Sequence, residues 1–175
     1  MKIIKAVLLG LFFLVVVIIQ LSFIKQLPFG LVYLELALLV LVFFLIIYGL
    51  KLTLPWIVVV GLVLDVFNFS SFGLNLICLI LTFVLLNLFL INILTANSLY
   101  TYIVLVSLGI IFSILIKLFI FQLIFNSGLD NLINFNFWLS LLKSLIVNLS
   151  LTIVSFYILS SLNYKLKPAF LARRK

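Results

Sequence analysis

The chain has 175 residues, of which 68% are hydrophobic and 8% are charged, whereas about 25% of the residues of a soluble domain are charged. This composition excludes an ordinary soluble fold and indicates that lipid surrounds most of the chain. The formal net charge is +8, but the basic residues lie mostly near the two ends beside apolar segments, which indicates membrane topology and attraction to anionic lipid, not nucleic-acid binding.

Six apolar segments approach the length of about 20 residues that a helix needs to cross the hydrocarbon core. The first follows Lys2 and Lys5, and its length and the lack of a small-x-small cleavage pattern favour a retained span over a signal peptide. Pro28 and Gly30 separate it from the second, and Pro55 is acceptable in the first turn of a short third span. The predicted spans cover residues of about 6–24, 31–49, 54–67, 74–94, 99–125 and 137–162.

Two other segments have a different composition. Residues 68–73 are polar and turn-like, which predicts either a loop or a re-entrant break buried in protein. Residues 163–175 form a basic tail after the last span. The whole chain, 1–175, is therefore predicted to be one transmembrane domain, an all-α bundle of six helices.

The distribution of basic residues predicts the topology of the six spans. An even number of spans places both ends on one side, and Lys25 is then the only basic residue in the loops of the other side. The positive-inside rule places the two ends in the cytoplasm. Five or seven spans would separate the basic ends. The basic residues on the predicted cytoplasmic side are Lys2, Lys5, Lys51, Lys165, Lys167, Arg173, Arg174 and Lys175.

Four ionisable residues lie in or near the outer half of the predicted spans, and they are Glu35, Asp65, Lys117 and Lys143. A charge at the bilayer centre costs about 2.5–3.5 kcal/mol, so two acids and two bases at one level favour an intramembrane charge cluster. Alternatively, Glu35, Lys117 and Lys143 extend to the outer interface. Asp65 is too short for this, which favours a partner inside the bundle. The small number of intramembrane acids disfavours a proton or ion relay.

Small and polar residues at helical spacing predict which helix faces pack closely. Gly61 shares a face with Asp65, four residues later, and Gly109 shares one with Ser113 and Lys117. The last span has a polar stripe that is expected to face its neighbours. The stripe consists of Ser140, Ser144, Asn148, Thr152 and Ser155.

The residue types that most catalytic and metal sites require are scarce. The chain has no histidine and one cysteine, so neither a Ser-His-Asp triad nor a Cys-His pair can be assembled. Cys78 with three acids does not favour a transition-metal site, and the scattered glycines form no phosphate-binding loop. We therefore predict no catalytic, metal-binding or cofactor-binding residues and a protein that is not an enzyme.

From Gly61 to Gly73 the sequence reads GLVLDVFNFSSFG. This segment resembles the G-x-x-x-D…S-x-x-G stretch of MreD, the small bacterial rod shape-determining membrane protein, and the matching residues are Gly61, Asp65, Ser70 and Gly73. The chain length, the six spans with a short third span and the basic tail are also similar to that family. The chain departs from the family where the second span begins, because the acid, Glu35, is displaced from Pro28. Glu35 is therefore not equated with a family position.

The resemblance implies a non-enzymatic component of the bacterial cell-elongation machinery that supports peptidoglycan synthesis in the plasma membrane. MreD-like proteins associate with MreC, a single-span periplasmic scaffold protein. Through MreC they connect with MreB filaments, the SEDS-type glycan polymerase and its partner transpeptidase. The resemblance thus implies an MreC-like partner and no cofactor.

The helical fold of the MreD family also resembles the substrate-binding subunits of energy-coupling-factor vitamin transporters, and this relation supplies an alternative function. In such a subunit, the charged residues of the outer half would line a pocket open to the outside. The small-x-x-x-small pattern of Ala6 and Gly10 would then be a coupling face, although packing within the chain also accounts for it.

Overall fold

The computed structural model describes residues 2–22, 33–68, 73–92, 99–125 and 135–162, and the regular secondary structure within these ranges is helical. The helices are α1 (Lys2–Ser22), α2 (Leu36–Tyr48), α3 (Leu50–Asn68), α4 (Leu74–Asn92), α5 (Leu99–Phe125) and α6 (Phe135–Leu162). The predicted tail, 163–175, and Ser70 of the family motif lie outside the described residues.

Four of these helices are long and apolar enough to cross a membrane, through the stretches Leu50–Phe67, Leu74–Asn92, Tyr100–Ile120 and Trp138–Ser155. The first two helices contribute shorter apolar stretches, Gly10–Ser22 and Leu36–Tyr48. Large apolar side chains are exposed on the outside of the bundle, for example those of Ile91 and Ile146. Such a surface suits lipid, in which helices satisfy their own backbone hydrogen bonds. The chain thus has the features of an all-helical membrane protein.

The second helix is the centre of the bundle. It packs against each of the other five helices, while α3 also packs against α1 and α4, α4 against α5, and α5 against α6. The side chains of Leu41, Val42 and Leu45 on α2 are fully buried. The core therefore lies along α2.

The third helix is not shortened as the sequence predicts. It has 19 residues and begins four residues before the predicted boundary because helical hydrogen bonding starts ahead of Pro55. The carbonyl of Gly49 accepts bonds from both the backbone N–H of Thr53, at 3.2 Å, and its hydroxyl, at 2.9 Å. Pro55 thus lies inside the helix and not in its first turn.

The short helix is instead α2, which has 13 residues and is about 20 Å long at 1.5 Å per residue. The predicted span 31–49 begins too early, because residues 33–35 precede the helix. The other predicted spans agree with α1, α4, α5 and α6 to within a few residues at the described ends.

Candidate functional site

A cavity of about 260 Å³ lies within the bundle, and each of the six helices contributes to its lining. Charged and polar groups enter it from several directions. Glu35 precedes α2, Lys117 comes from α5, Ser144 from α6 and Gln20 from α1. Because charged side chains are rare inside an apolar bundle, the residues around this cavity are the first candidate for a functional site.

Residues Tyr33–Glu35 line this cavity ahead of α2, with Tyr33 in a 3₁₀ conformation and residues 34 and 35 in no regular helix, and α6 bonds to two of their backbone groups. The Asn148 side chain accepts a hydrogen bond from the Glu35 N–H through Oδ1 and donates one to the Tyr33 carbonyl through Nδ2, each at 2.9 Å. The Ser144 hydroxyl donates to the same carbonyl at 3.2 Å. Non-helical backbone at membrane depth is stable only where it is buried in protein or lines a cavity. This segment does both.

The start of α2 is also fixed by a side chain from α1. The first N–H groups of a helix have no partner within that helix. The Gln20 side chain, which is buried, accepts a hydrogen bond from the Ala37 N–H through Oε1 at 2.8 Å. Three elements that are distant in sequence, α1, α2 and α6, are thereby joined at one end of the cavity.

The start of α4 is fixed in the same manner by Asp65 of α3. One carboxylate oxygen accepts a hydrogen bond from the Asn75 N–H at 2.8 Å, and the other accepts one from the Leu76 N–H at 3.2 Å. Asp65 is 2% exposed. A carboxylate at a helix N-terminus satisfies free N–H groups and interacts favourably with the helix dipole. Asp65 is thus a cap supplied by the neighbouring helix.

Gly61 and Gly73 complete this α3–α4 hairpin. A Cβ atom on Gly61 would lie 2.8 Å from the Cα of Leu76, so the two helix backbones are in contact at this point. Gly73 has a φ of 95°, in the left-handed region that glycine adopts readily. The three described residues of the family-like motif therefore all have a place in one hairpin.

The structure separates the four predicted charged residues. Glu35 and Lys117 line the same cavity, whereas Asp65 and Lys143 are absent from its lining. The Lys143 side chain is exposed on the outside of α6, as expected for a lysine that extends to the interface. No carboxylate–lysine pair comes within 4.0 Å among the described residues, so the expected direct pairing is not found there. Asp65 has backbone amides as partners instead.

The small-residue faces pack as predicted within the described helices. A Cβ atom on Gly109 would lie 3.2 Å from a side-chain carbon of Leu38 and 3.3 Å from one of Leu86, so α5 approaches both α2 and α4 closely. Gly10 faces the ring of Trp56 at 3.3 Å by the same measure. The ring of Trp56 thus packs against Gly10 within the chain.

The polar stripe of the last helix also packs inside. Asn148 and Thr152 are fully buried, and Ser144 is 5% exposed. The sequence indicated an inward-facing stripe but not its partner, the backbone of residues 33–35. Gln20 was missed altogether, although a single amide late in an apolar helix is a signal for an intramembrane hydrogen bond.

No protein family, curated protein or solved structure matches this chain. Among the residues that the structure describes, no group of three or more His, Cys, Asp or Glu side chains could hold a metal ion. The two features that bear on function are therefore the α3–α4 hairpin and the cavity beside α2.

Proposed function

We propose that this chain is a non-enzymatic scaffold of the MreD type in the bacterial cell-elongation machinery. In this proposal it crosses the plasma membrane six times, has both termini in the cytoplasm and binds an MreC-like protein. The observation that carries the proposal is the α3–α4 hairpin. Gly61, Asp65 and Gly73, which match the MreD-like motif, are the residues that position α4 against α3.

The chemistry of Asp65 supports a structural role for this motif. Both carboxylate oxygens accept hydrogen bonds from backbone amides of α4, and the side chain is buried. A general acid or base needs a side chain that can reach a substrate, which this one cannot do in such a position. A hairpin fixed before binding loses less conformational entropy when a partner docks, and this suits a scaffold.

The proposal counts six spans, of which α3, α4, α5 and α6 are long and apolar enough to cross a membrane by themselves. The apolar stretches of α1 and α2 are shorter than the hydrocarbon thickness of about 30 Å, and in this proposal residues 33–35, which bond to Asn148 of α6, lengthen the crossing at α2. An even number of spans then places the basic residues of the two ends on one side, in agreement with the positive-inside rule.

Co-purification tests the proposal. The tagged chain is expressed in the cell that encodes it, and the proteins recovered in mild detergent are identified by mass spectrometry. We expect a single-span protein with a large periplasmic part in a defined stoichiometry. Lys143→Met, at an exposed lysine, should leave the complex intact, whereas Asp65→Leu should weaken it. Repeated recovery of the folded wild-type chain without such a partner would contradict the proposal.

The cavity favours a second candidate function, the substrate-binding subunit of a vitamin transporter. A cavity of about 260 Å³ with charged residues in its lining suits a small ligand, although it lies below the usual size of sites for drug-sized molecules. Mass spectrometry of the purified chain separates the two candidates, since a transporter subunit should retain a vitamin-like ligand and recover an ATPase-coupled partner. Preparations that contain no ligand and show no thermal shift across a vitamin panel would count against this candidate.

A further inference from the structure

The cavity brings together two opposite charges that are not joined to each other. Glu35 and Lys117 both line it and are both partly buried. Within the described part of the chain, neither the carboxylate of Glu35 nor the ammonium of Lys117 has a hydrogen-bonding or ionic partner. In a bundle surrounded by lipid, such groups need water or a ligand to compensate for lost hydration.

Neutral polar groups nearby are already used by the protein. The Gln20 side chain accepts from the Ala37 N–H, and the Ser144 hydroxyl donates to the Tyr33 carbonyl. The Ser113 hydroxyl donates to the carbonyl of Ile110 within its own helix. Among the described lining residues, the strongest interactions left for a ligand are therefore those with one negative charge, on Glu35, and one positive charge, on Lys117.

We propose that this cavity binds a small zwitterion. Its ammonium group contacts the carboxylate of Glu35, and its carboxylate or phosphate contacts the ammonium of Lys117. Charge-assisted hydrogen bonds of this kind are about twice as strong as neutral ones.

The size of the cavity limits the ligand. A volume of about 260 Å³ equals that of about nine water molecules at roughly 30 Å³ each. This volume is below the usual range for drug-sized ligands. An amino acid fits this limit, and so does the headgroup of phosphatidylethanolamine. Both carry an ammonium group and an anionic group a few bonds apart, so the ligand reaches the site either from water or from the bilayer.

This proposal does not depend on the scaffold function. A scaffold with a zwitterion in the cavity would be stabilised by its ligand, and a transporter subunit would carry it as substrate. Failure to recover an MreC-like partner would leave the binding proposal intact, and failure to bind a zwitterion would leave the scaffold proposal intact.

The experiment measures thermal stability and heat of binding for the full chain in nanodiscs made of phosphatidylglycerol alone. Glycine and O-phosphoethanolamine are the free zwitterions, while acetate and methylammonium carry only one of the two charges. In a separate arm, phosphatidylethanolamine is added to the bilayer. We expect saturable binding of a free zwitterion or of the lipid, at least tenfold tighter than that of acetate or methylammonium. The responding arm identifies the source, and either response supports the proposal.

Variants locate the binding. Glu35→Gln and Lys117→Met each remove one charge with little change in shape, and each should weaken binding by about tenfold or more. Lys143→Met removes an exposed lysine outside the cavity and should change the affinity less than twofold. The melting temperature of each ligand-free variant shows whether it has folded.

Three results would overturn the proposal. They are the absence of saturable binding in every arm, equal binding of acetate and the zwitterions, and equal loss of affinity in Lys117→Met and Lys143→Met. The comparison of ligands uses the wild-type chain alone, so the proposal is testable even if a variant does not fold.

Discussion

Two helices of the bundle, α2 and α4, begin in similar ways but with different chemistry. Each has its first N–H groups capped by a side chain of the preceding helix. Asp65 supplies a carboxylate to two amides of α4, whereas Gln20 supplies a neutral amide oxygen to one amide of α2. At α4 the capping helix is in backbone contact through Gly61. At α2 a non-helical segment comes first and a cavity lies beside it.

The difference separates packing from binding. Asp65 has both oxygens occupied by backbone N–H groups of α4, which compensates for its burial and fixes α4 against α3. At α2 the neutral cap places no charge on the first turn, while the carboxylate of the adjacent Glu35, a residue that lines the cavity, has no partner among the described residues. We infer that the α3–α4 end provides rigidity and that the α2 end provides a polar interior surface.

Asp65→Leu should have the largest effect on stability. It leaves the N–H groups of Asn75 and Leu76 buried without an acceptor, and an unsatisfied buried donor costs about 1–3 kcal/mol. We expect a loss on the order of 3 kcal/mol in the free energy of unfolding, measured by denaturant titration in detergent micelles. Asp65→Asn keeps one acceptor oxygen and should lose less. Equal losses in the two variants would show that the cap is not the source of the effect.

Gly61→Ala tests the backbone contact in the same hairpin. Its Cβ would lie 2.8 Å from a backbone carbon of Leu76, so α3 and α4 must separate, and the expected loss is about 1–3 kcal/mol. Gly109→Ala is the matched control. Its Cβ would meet only the flexible ends of Leu38 and Leu86. Gly109→Ala should therefore lose less unfolding free energy than Gly61→Ala. A larger loss in Gly109→Ala would contradict backbone contact as the cause.

The hairpin was the more predictable of the two regions. A glycine four residues before an acid indicates a close helix contact with a polar group beside it, and the predicted start of the fourth span at residue 74 agrees with α4. Lysines were expected to pair with Asp65. Its true partners are backbone amides ten and eleven residues later, and hydropathy along the chain contains no information about them.

The cavity region was less predictable, because residues far apart in sequence determine it. Tyr33 and Leu34 continue an apolar stretch, so the pattern predicts an α-helix there, whereas α2 begins only at Leu36. The side chain of Asn148, 113 residues after Glu35, stabilises this irregular backbone by accepting a hydrogen bond from the Glu35 N–H. The span positions predict that the four charged residues lie at a similar depth, and two of them, Glu35 and Lys117, line the same cavity. The orientation of Lys143 depends on helix rotation, which spacing alone did not give.

Asn148→Leu should loosen the start of α2 and leave the α3–α4 hairpin unchanged. It removes the bonds to the Glu35 N–H and the Tyr33 carbonyl, and side-chain hydrogen bonds between membrane helices are worth about 0.6 kcal/mol on average and up to about 1.7 kcal/mol. We expect a loss of about 1.5 kcal/mol, with faster hydrogen exchange at residues 35–37 than at residues 75–76. Ser150→Ala, at an exposed serine that bonds within its own helix, is the control. Equally faster hydrogen exchange at residues 35–37 and 75–76 would contradict the inference that the starts of α2 and α4 are stabilised independently.

Gln20→Leu should have the smallest effect, because it removes a single neutral bond to the Ala37 N–H. The expected loss is about 1 kcal/mol, below that of Asp65→Leu in the same titration.

Gln20→Glu provides the sharper comparison, since it gives α2 the kind of cap that α4 has. The new carboxylate keeps an acceptor for Ala37 but also enters the cavity beside Glu35, where like charges repel each other. Gln20→Glu should therefore be less stable than wild type, and its free energy of unfolding should fall further when Lys117→Met removes a cation from the same cavity. If Gln20→Glu instead stabilised the chain in both backgrounds, the neutral cap at α2 would not be a requirement of the cavity.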